Sequence, residues 1–212
     1  MRVTGIETTK KGRYALMVDG EFAFSLHRDT FLLCPWLQKG AEVTPERLET
    51  LRQEDELRSA RERALDLLSA AEQTSGTLRQ KLLRWYGEEA VEAAVLRMEE
   101  LGLVDDEAYA RRLARDLLAR KHYPRRRLAQ ELTGKGIDRA LAEEAAAEAM
   151  EEAETDDGQQ ALELLRKKYY NRLYDENARR KTAAALARYG FGGDAVRRAM
   201  EAALSDQEDN GN

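Results

Sequence analysis

The sequence predicts a mainly α-helical chain: three related three-helix units in tandem, forming an elongated molecule, preceded by a small N-terminal β module. Three observations predict this. Ala, Leu, Glu and Arg dominate after about residue 45, the composition of helices with exposed faces. An L-x-x-x-G spacing recurs at Leu83–Gly87, Leu132–Gly136 and Leu186–Gly190, with the glycines 49 and then 54 residues apart. Such a period marks a helical repeat, whose members touch mainly their neighbours. Before residue 27 the apolar pattern has period two instead.

The β module occupies residues 1–44. Tyr14, Leu16 and Val18 alternate, as do Phe22, Phe24 and Leu26, with Asp19-Gly20 between the two runs. Asp-Gly between alternating runs is a strong hairpin signal, because both central residues reach positive φ. Val3 to Thr8 adds a third strand through a turn at Lys10-Lys11-Gly12. Three strands of this length need something to pack on. Cys34, next to Pro35-Trp36, reads as a small buried hydrophobe.

Thr44-Pro45 opens a helix, a hydroxyl cap followed by a proline whose missing N–H costs nothing in the first turn. Residues 45–57 then read as a connecting helix through Leu48 and Leu51, with a break near Asp55, and Leu65 and Leu68 continue the period. The repeats follow at 58–105, 106–153 and 157–204, and 205–212 form an acidic tail. Asp105-Asp106 reads as a helix cap, Trp85 and Tyr86 as packing residues, and the three repeat glycines as left-handed helix ends.

An enzyme is not expected. The only histidines are His27 and His122, there is no HExxH, and Thr133-Gly134-Lys135-Gly136 lacks the elements of a phosphate loop. No catalytic residues, metal site or cofactor follow from this inventory. The single cysteine and the N-terminus, which carries charge and glycine in place of an apolar run, fit a reducing cytoplasm and no membrane association.

The net charge of −5 conceals segregation. Residues 106–140 carry ten Lys and Arg against five acids, 141–157 carry eight acids and no base, and 158–200 return to ten bases against four acids. An acidic protein with local basic stretches can still meet a polyanion, since the local potential decides a contact. Tyr109, Leu113 and Leu117 share one helical sector, placing Arg111, Arg112 and Arg115 on the far side. The loop after them holds Arg120, Lys121, His122, Tyr123, Pro124, Arg125, Arg126 and Arg127, gathering cations at a helix N-terminus, with Lys135 beyond. Arg166, Lys167 and Lys168, then Arg179, Arg180 and Lys181, repeat the theme, and Tyr169 shares a face with Leu162, Leu165 and Leu173.

Residues 102–110 (GLVDDEAYA), 125–137 (RRRLAQELTGKGI), and Lys181, Leu186 and Tyr189-Gly190-Phe191 resemble the RecX family, bacterial proteins that regulate the RecA recombinase. The resemblance covers nearly the whole chain. It departs from the family pattern at residues 71–78, where the family's first repeat carries arginines, and at His122-Tyr123-Pro124, where a glycine is common. A non-enzymatic monomer is expected from the residue inventory and the repeat. The resemblance implies a curved array of three-helix repeats. It implies binding to the RecA–DNA filament, modulating assembly, ATP hydrolysis and strand exchange in DNA repair, recombination and the SOS response. The basic residues above are then the filament or DNA contacts, with weak binding to single- or double-stranded DNA. The alternative is a helix-turn-helix regulator that binds DNA directly, because three-helix units with a basic second helix also describe that class.

Overall fold

The computed structural model describes residues 1–173 and 175–210, the side chains of Arg172 and 207–210 excepted. Strands β1 (Val3–Thr8), β2 (Tyr14–Val18) and β3 (Glu21–Leu26) form an antiparallel sheet in that order. Asp19 and Gly20 take φ of 52° and 91°, the two positive values that the hairpin turn requires. The expected alternation fails at one point. Leu16 pairs with Phe24 but Met17 pairs with Phe22, so Ala23 is an extra residue, and this bulge leaves Phe22 60% exposed.

The short helix α1 (Arg28–Leu32) and the first turns of α2 (Pro45–Ala70) cover the sheet. Val3, Leu16 and Leu26 pack there with Cys34, Leu37, Leu48 and Leu51, so the cysteine is the buried apolar residue expected. Thr44 caps α2 and Pro45 is its first residue.

No break occurs at Asp55; α2 runs unbroken for 26 residues across the boundary expected at 57/58. Asp55 is buried but fully engaged. One carboxylate oxygen accepts from Arg13 Nη2 and the other from the His27 backbone N–H. Satisfied in this way, a buried acid needs no helix interruption. The same α2 supplies Leu48 and Leu51 to the sheet's core and Ala60 and Ala64 to the first repeat's core.

The first repeat is completed by α3 (Ser75–Leu82) and α4 (Glu88–Glu100). Thr74 caps α3. Here the repeat register needs correction. Leu82, not Leu83, is fully buried, and Leu83 is 47% exposed. The turn before Gly87 is one residue longer than its counterparts. Gly87 accordingly has φ −67° and begins α4, whereas Gly136 and Gly190 have φ of 83° and 114° and sit at helix ends as expected. The matching positions across the repeats are Leu78 and Leu82, Leu128 and Leu132, and Thr182 and Leu186. Each pair lies one helical turn apart on a buried face. Met1–Val104 form one compact unit, and Asp105–Asn212 a second.

In the second unit, α5 (Asp106–Lys121), α6 (Arg125–Gly134) and α7 (Arg139–Glu152) form one repeat. The other contains α8 (Asp157–Lys168), a 3-10 turn (Tyr170–Arg172), α9 (Glu176–Tyr189) and α10 (Gly193–Asn210). Asp105 caps α5 by accepting from the Ala108 N–H at 2.9 Å, and Asp138, Asp156 and Asp175 cap α7, α8 and α9. Part of the expected acidic tail therefore continues α10 to Asn210, while Gly211 and Asn212 lie outside the described residues. No described helix is long and apolar enough to cross a membrane.

Candidate functional site

The basic stretch 106–140 occupies α5, the α5–α6 loop, α6 and the start of α7, and the fold sorts its charges into three groups. Two of the α5 arginines, Arg111 and Arg115, are engaged by acids of α7. The buried stripe of α5 is Ala110, Ala114 and Leu118, while Tyr109, Leu113 and Leu117 are only partly buried. Alanines on α5 meet alanines on α7 (Ala142, Ala145, Ala146, Ala149), and small side chains allow close helix packing. The core stripe is thus shifted by one residue from the expected face, which brings Arg111 and Arg115 to the flank facing α7.

There Arg111 Nε donates to Glu148 Oε2 at 2.9 Å. Arg115 makes a two-bond fork to Glu152, at 2.6 and 2.8 Å. Glu107 also lies 3.5 Å from Arg111. These bonds raise both guanidinium pKa values and hold the Glu152 carboxyl below its ordinary range. The partners come from the acidic run 141–157. Arg111 and Arg115 are one turn apart, Glu148 and Glu152 are one turn apart, and both pairs are separated by the same 37 residues. That matched spacing was the available signal. Arg112 lies over the Tyr109 ring at 5.4 Å.

The second group ties the two repeats of this unit together. His122 closes α5 in the left-handed conformation, φ 54°, and its Nδ1 is 3.2 Å from Gln160 Oε1 on α8. The Tyr189 hydroxyl donates to the Lys121 carbonyl at 2.8 Å, and Lys167 Nζ reaches the Arg120 carbonyl at 3.4 Å. Burial raises the Tyr189 pKa. Arg127 donates from Nη1 to the Tyr189 carbonyl at 2.9 Å. Its guanidinium sits 4.2 Å from the centre of the Tyr123 ring and 4.5 Å from that of Tyr189. Lys168 approaches the same Tyr189 ring at 5.4 Å. Arg127 is a clamp between repeats, a role that residue type and local charge do not reveal.

The third group faces outward. Arg125 and Arg126 open α6; the Arg125 backbone N–H is capped by Asp157, yet neither side chain has an ion-pair partner among the described residues. With Arg139 they line an open cleft of about 670 Å³, floored by Ala129, Gln130 and Thr133. Glu143 pairs with Arg139 on one side. The side chain of Arg120 is exposed, with Asp116 only at 4.0 Å, and Lys121 and Lys135 are exposed as well. In the third repeat Arg166 is held by Asp206 at 2.6 Å, and Arg179 Nε donates to the Leu173 carbonyl. Arg180 and Lys181 are exposed on α9. Tyr169 packs on the third core, as expected.

In the β module, His27 caps α1. Its Nδ1 accepts from the Asp29 N–H, and its Nε2 lies 3.0 Å from Glu62 Oε2. Trp85 is not a packing residue; it is 75% exposed, while Tyr86 beside it packs on the first core.

Family models match residues 60–98, 105–145 and 155–200, described as the first, second and third three-helix domains of RecX. Regulatory protein RecX of Caldanaerobacter subterraneus is 32% identical over 139 residues, 65% of this chain and 70% of that protein. Its counterpart from Stenotrophomonas maltophilia is 38% identical over 140 residues, 65% of this chain and 83% of the relative. The Clostridioides difficile protein of the same name aligns over 97% of each chain at 26% identity. A crystal structure of regulatory protein RecX matches with a TM-score of 0.64 at 25% identity, covering 94% of this chain and 98% of that one. With three tandem three-helix domains matched and relatives at this identity, the chain belongs to the RecX family of regulatory proteins.

Proposed function

We propose that this protein is a non-enzymatic regulator that binds the RecA–DNA filament and modulates its assembly, ATP hydrolysis and strand exchange. The observation that carries this reading is the pair Arg125 and Arg126 at the start of α6, exposed beside an open cleft with no side-chain ion pair among the described residues although Glu143 and Asp157 also line that cleft, in a chain of a family named as regulatory. Exposed guanidinium groups without an ion-pair partner at the positive end of a helix favour an anionic partner. Arg120, Lys121, Arg180 and Lys181 extend the cationic surface. Arg111 and Arg115 contribute less, because α7 already neutralises them, and Arg127 acts by holding the repeats.

The test is the DNA-dependent ATP hydrolysis of the organism's own RecA, measured with wild-type protein and with Arg125→Glu/Arg126→Glu. Wild type is expected to change the rate, and the double reversal to need at least tenfold more protein for the same effect. An unchanged dose response removes the site assignment. No effect of wild type on hydrolysis, filament assembly or strand exchange removes the function. The exposed start of α6 also favours a second reading, direct DNA binding. Equal affinity for bare and RecA-coated single-stranded DNA would select that reading.

A further inference from the structure

The exposed indole of Trp85 has no role in the surface described above. Tryptophan is ordinarily well buried, so a ring left in water on a well-ordered turn calls for a reason. The turn itself is fixed. The Trp85 and Tyr86 N–H groups both donate to the Leu82 carbonyl, and the Gly87 N–H donates to Glu56 Oε1 at 2.6 Å. Tyr86 points into the first core, which directs its neighbour outward.

Trp85 stands at the rim of a cleft of about 660 Å³ between the sheet and α2. Lys11 from the β1–β2 turn and Arg52 and Arg63 from α2 line it, with Phe24 as a second aromatic wall. The floor is braced: Arg13 donates to Asp55, to Ser59 Oγ and to the Ser25 carbonyl. Both acids that line the cleft are already engaged, Asp55 by Arg13 and the His27 N–H, Glu56 by the Gly87 N–H. Arg52 shares its charge with Glu49, Asp66 is 3.8 Å from Arg63, and Lys11 has no ion-pair partner among the described residues.

We propose that this cleft binds single-stranded nucleic acid, one base stacking on the Trp85 indole while Lys11, Arg52 and Arg63 meet the flanking phosphates. A planar, exposed π-face beside cations is the arrangement by which proteins hold unpaired strands without reading sequence. A duplex keeps its bases inside the stack, and a run of acidic side chains carries no aromatic ring to stack on the indole. The site lies wholly in the first unit and does not depend on the α6 surface. It gives the β module a task, since Lys11 and Phe24 belong to that module.

The chain has two tryptophans, and Trp36 lies beneath Arg47, whose guanidinium is 3.8 Å from its ring centre. Trp36→Phe in the full chain therefore leaves Trp85 as the only indole. Titration with hexathymidylate is expected to quench its emission. The slope of log affinity against log salt should be about −2, corresponding to three phosphates on a single strand. Trp85→Ala should weaken binding of a labelled hexamer, read by anisotropy in the otherwise unaltered chain, by roughly tenfold. Trp85→Phe should recover part of that loss, and Lys11→Glu should flatten the salt slope. Arg126→Glu should leave the quenching in place even where it abolishes an effect on RecA, so the two proposals fail separately. Unchanged Trp85 emission overturns the proposal. So does equal binding of an abasic hexamer, or competition by oligoglutamate of the same charge as effective as by the oligonucleotide.

Discussion

Arg111 and Arg115 on α5 and Arg125 and Arg126 on α6 are the same residue type within fifteen positions of one repeat, yet their situations are opposite. The first pair is bonded to Glu148 and Glu152 across the α5–α7 contact; the second faces an open cleft with no ion-pair partner among the described residues. The difference arises from the neighbouring helix. Helix α7 lies along α5 with an acidic edge, whereas the outer face of α6 meets water. A positive charge in a sequence is therefore not yet a positive charge available to a partner.

The comparison can be broken from inside the same helix. Leu132 lies on the inner face of α6 and is fully buried. Leu132→Ala should cost about 2–5 kcal/mol through lost burial and the cavity left behind. Thermal unfolding followed by circular dichroism should show a large drop in melting temperature. If the drop is no larger than that for Arg126→Glu, α6 does not pack as described.

Arg127 tests the clamp between the two groups. Arg127→Ala removes the bond to the Tyr189 carbonyl and the two ring contacts, and should cost roughly 1–3 kcal/mol. Hydrogen exchange should speed up on both sides of the joint, at residues 120–125 and near the end of α9. Faster exchange confined to α6 would mean that Arg127 does not bridge the repeats.

A smaller effect separates the two arginine pairs directly. Arg111→Glu/Arg115→Glu places acids against Glu148 and Glu152 and should lower the melting temperature measurably, whereas Arg125→Glu/Arg126→Glu should leave it nearly unchanged. The ordering is the prediction: equal shifts in the two double variants would erase the distinction.

The smallest effect is in pH. Hydrogen bonds from Arg115 hold the Glu152 carboxyl below its ordinary range. A carboxyl depressed in the folded state contributes stability that is fully present above its unfolded pKa of about 4.3 and is lost as pH falls through the folded value. Glu152→Gln should therefore matter at neutral pH and lose its effect in acid. A melting-temperature difference from wild type that stays constant across this range would rule the linkage out.

Much of the fold was legible because it is local. The Asp19-Gly20 hairpin, the Thr44-Pro45 and Asp105 caps and the glycine-terminated α9 each depend on residues within a few positions of one another. Errors arose where one residue of register or a distant partner decided the outcome. The bulge at Ala23 turned Phe22 outward, the longer turn before Gly87 made Leu82 the repeat's buried residue, and Arg13, 42 positions away, stabilised Asp55 within an unbroken helix. At the candidate site the positions of the cations were readable. Their availability was not, because Glu148, Glu152 and Tyr189 are remote in sequence and periodicity within α5 or α6 contains no information about them.

One helix, α2, closes the sheet's core with Leu48 and Leu51 and opens the first repeat's core with Ala60 and Ala64, with no loop between. The sheet is thus no detachable appendage. A chain shortened to begin at residue 58 would lose half of that helix along with the strands. It would also give up Asp55 and the Glu56 oxygen that receives the Gly87 N–H. Removing the β module would therefore disturb the first repeat as well, so the sheet and residues 58–104 should lose their structure together rather than one after the other.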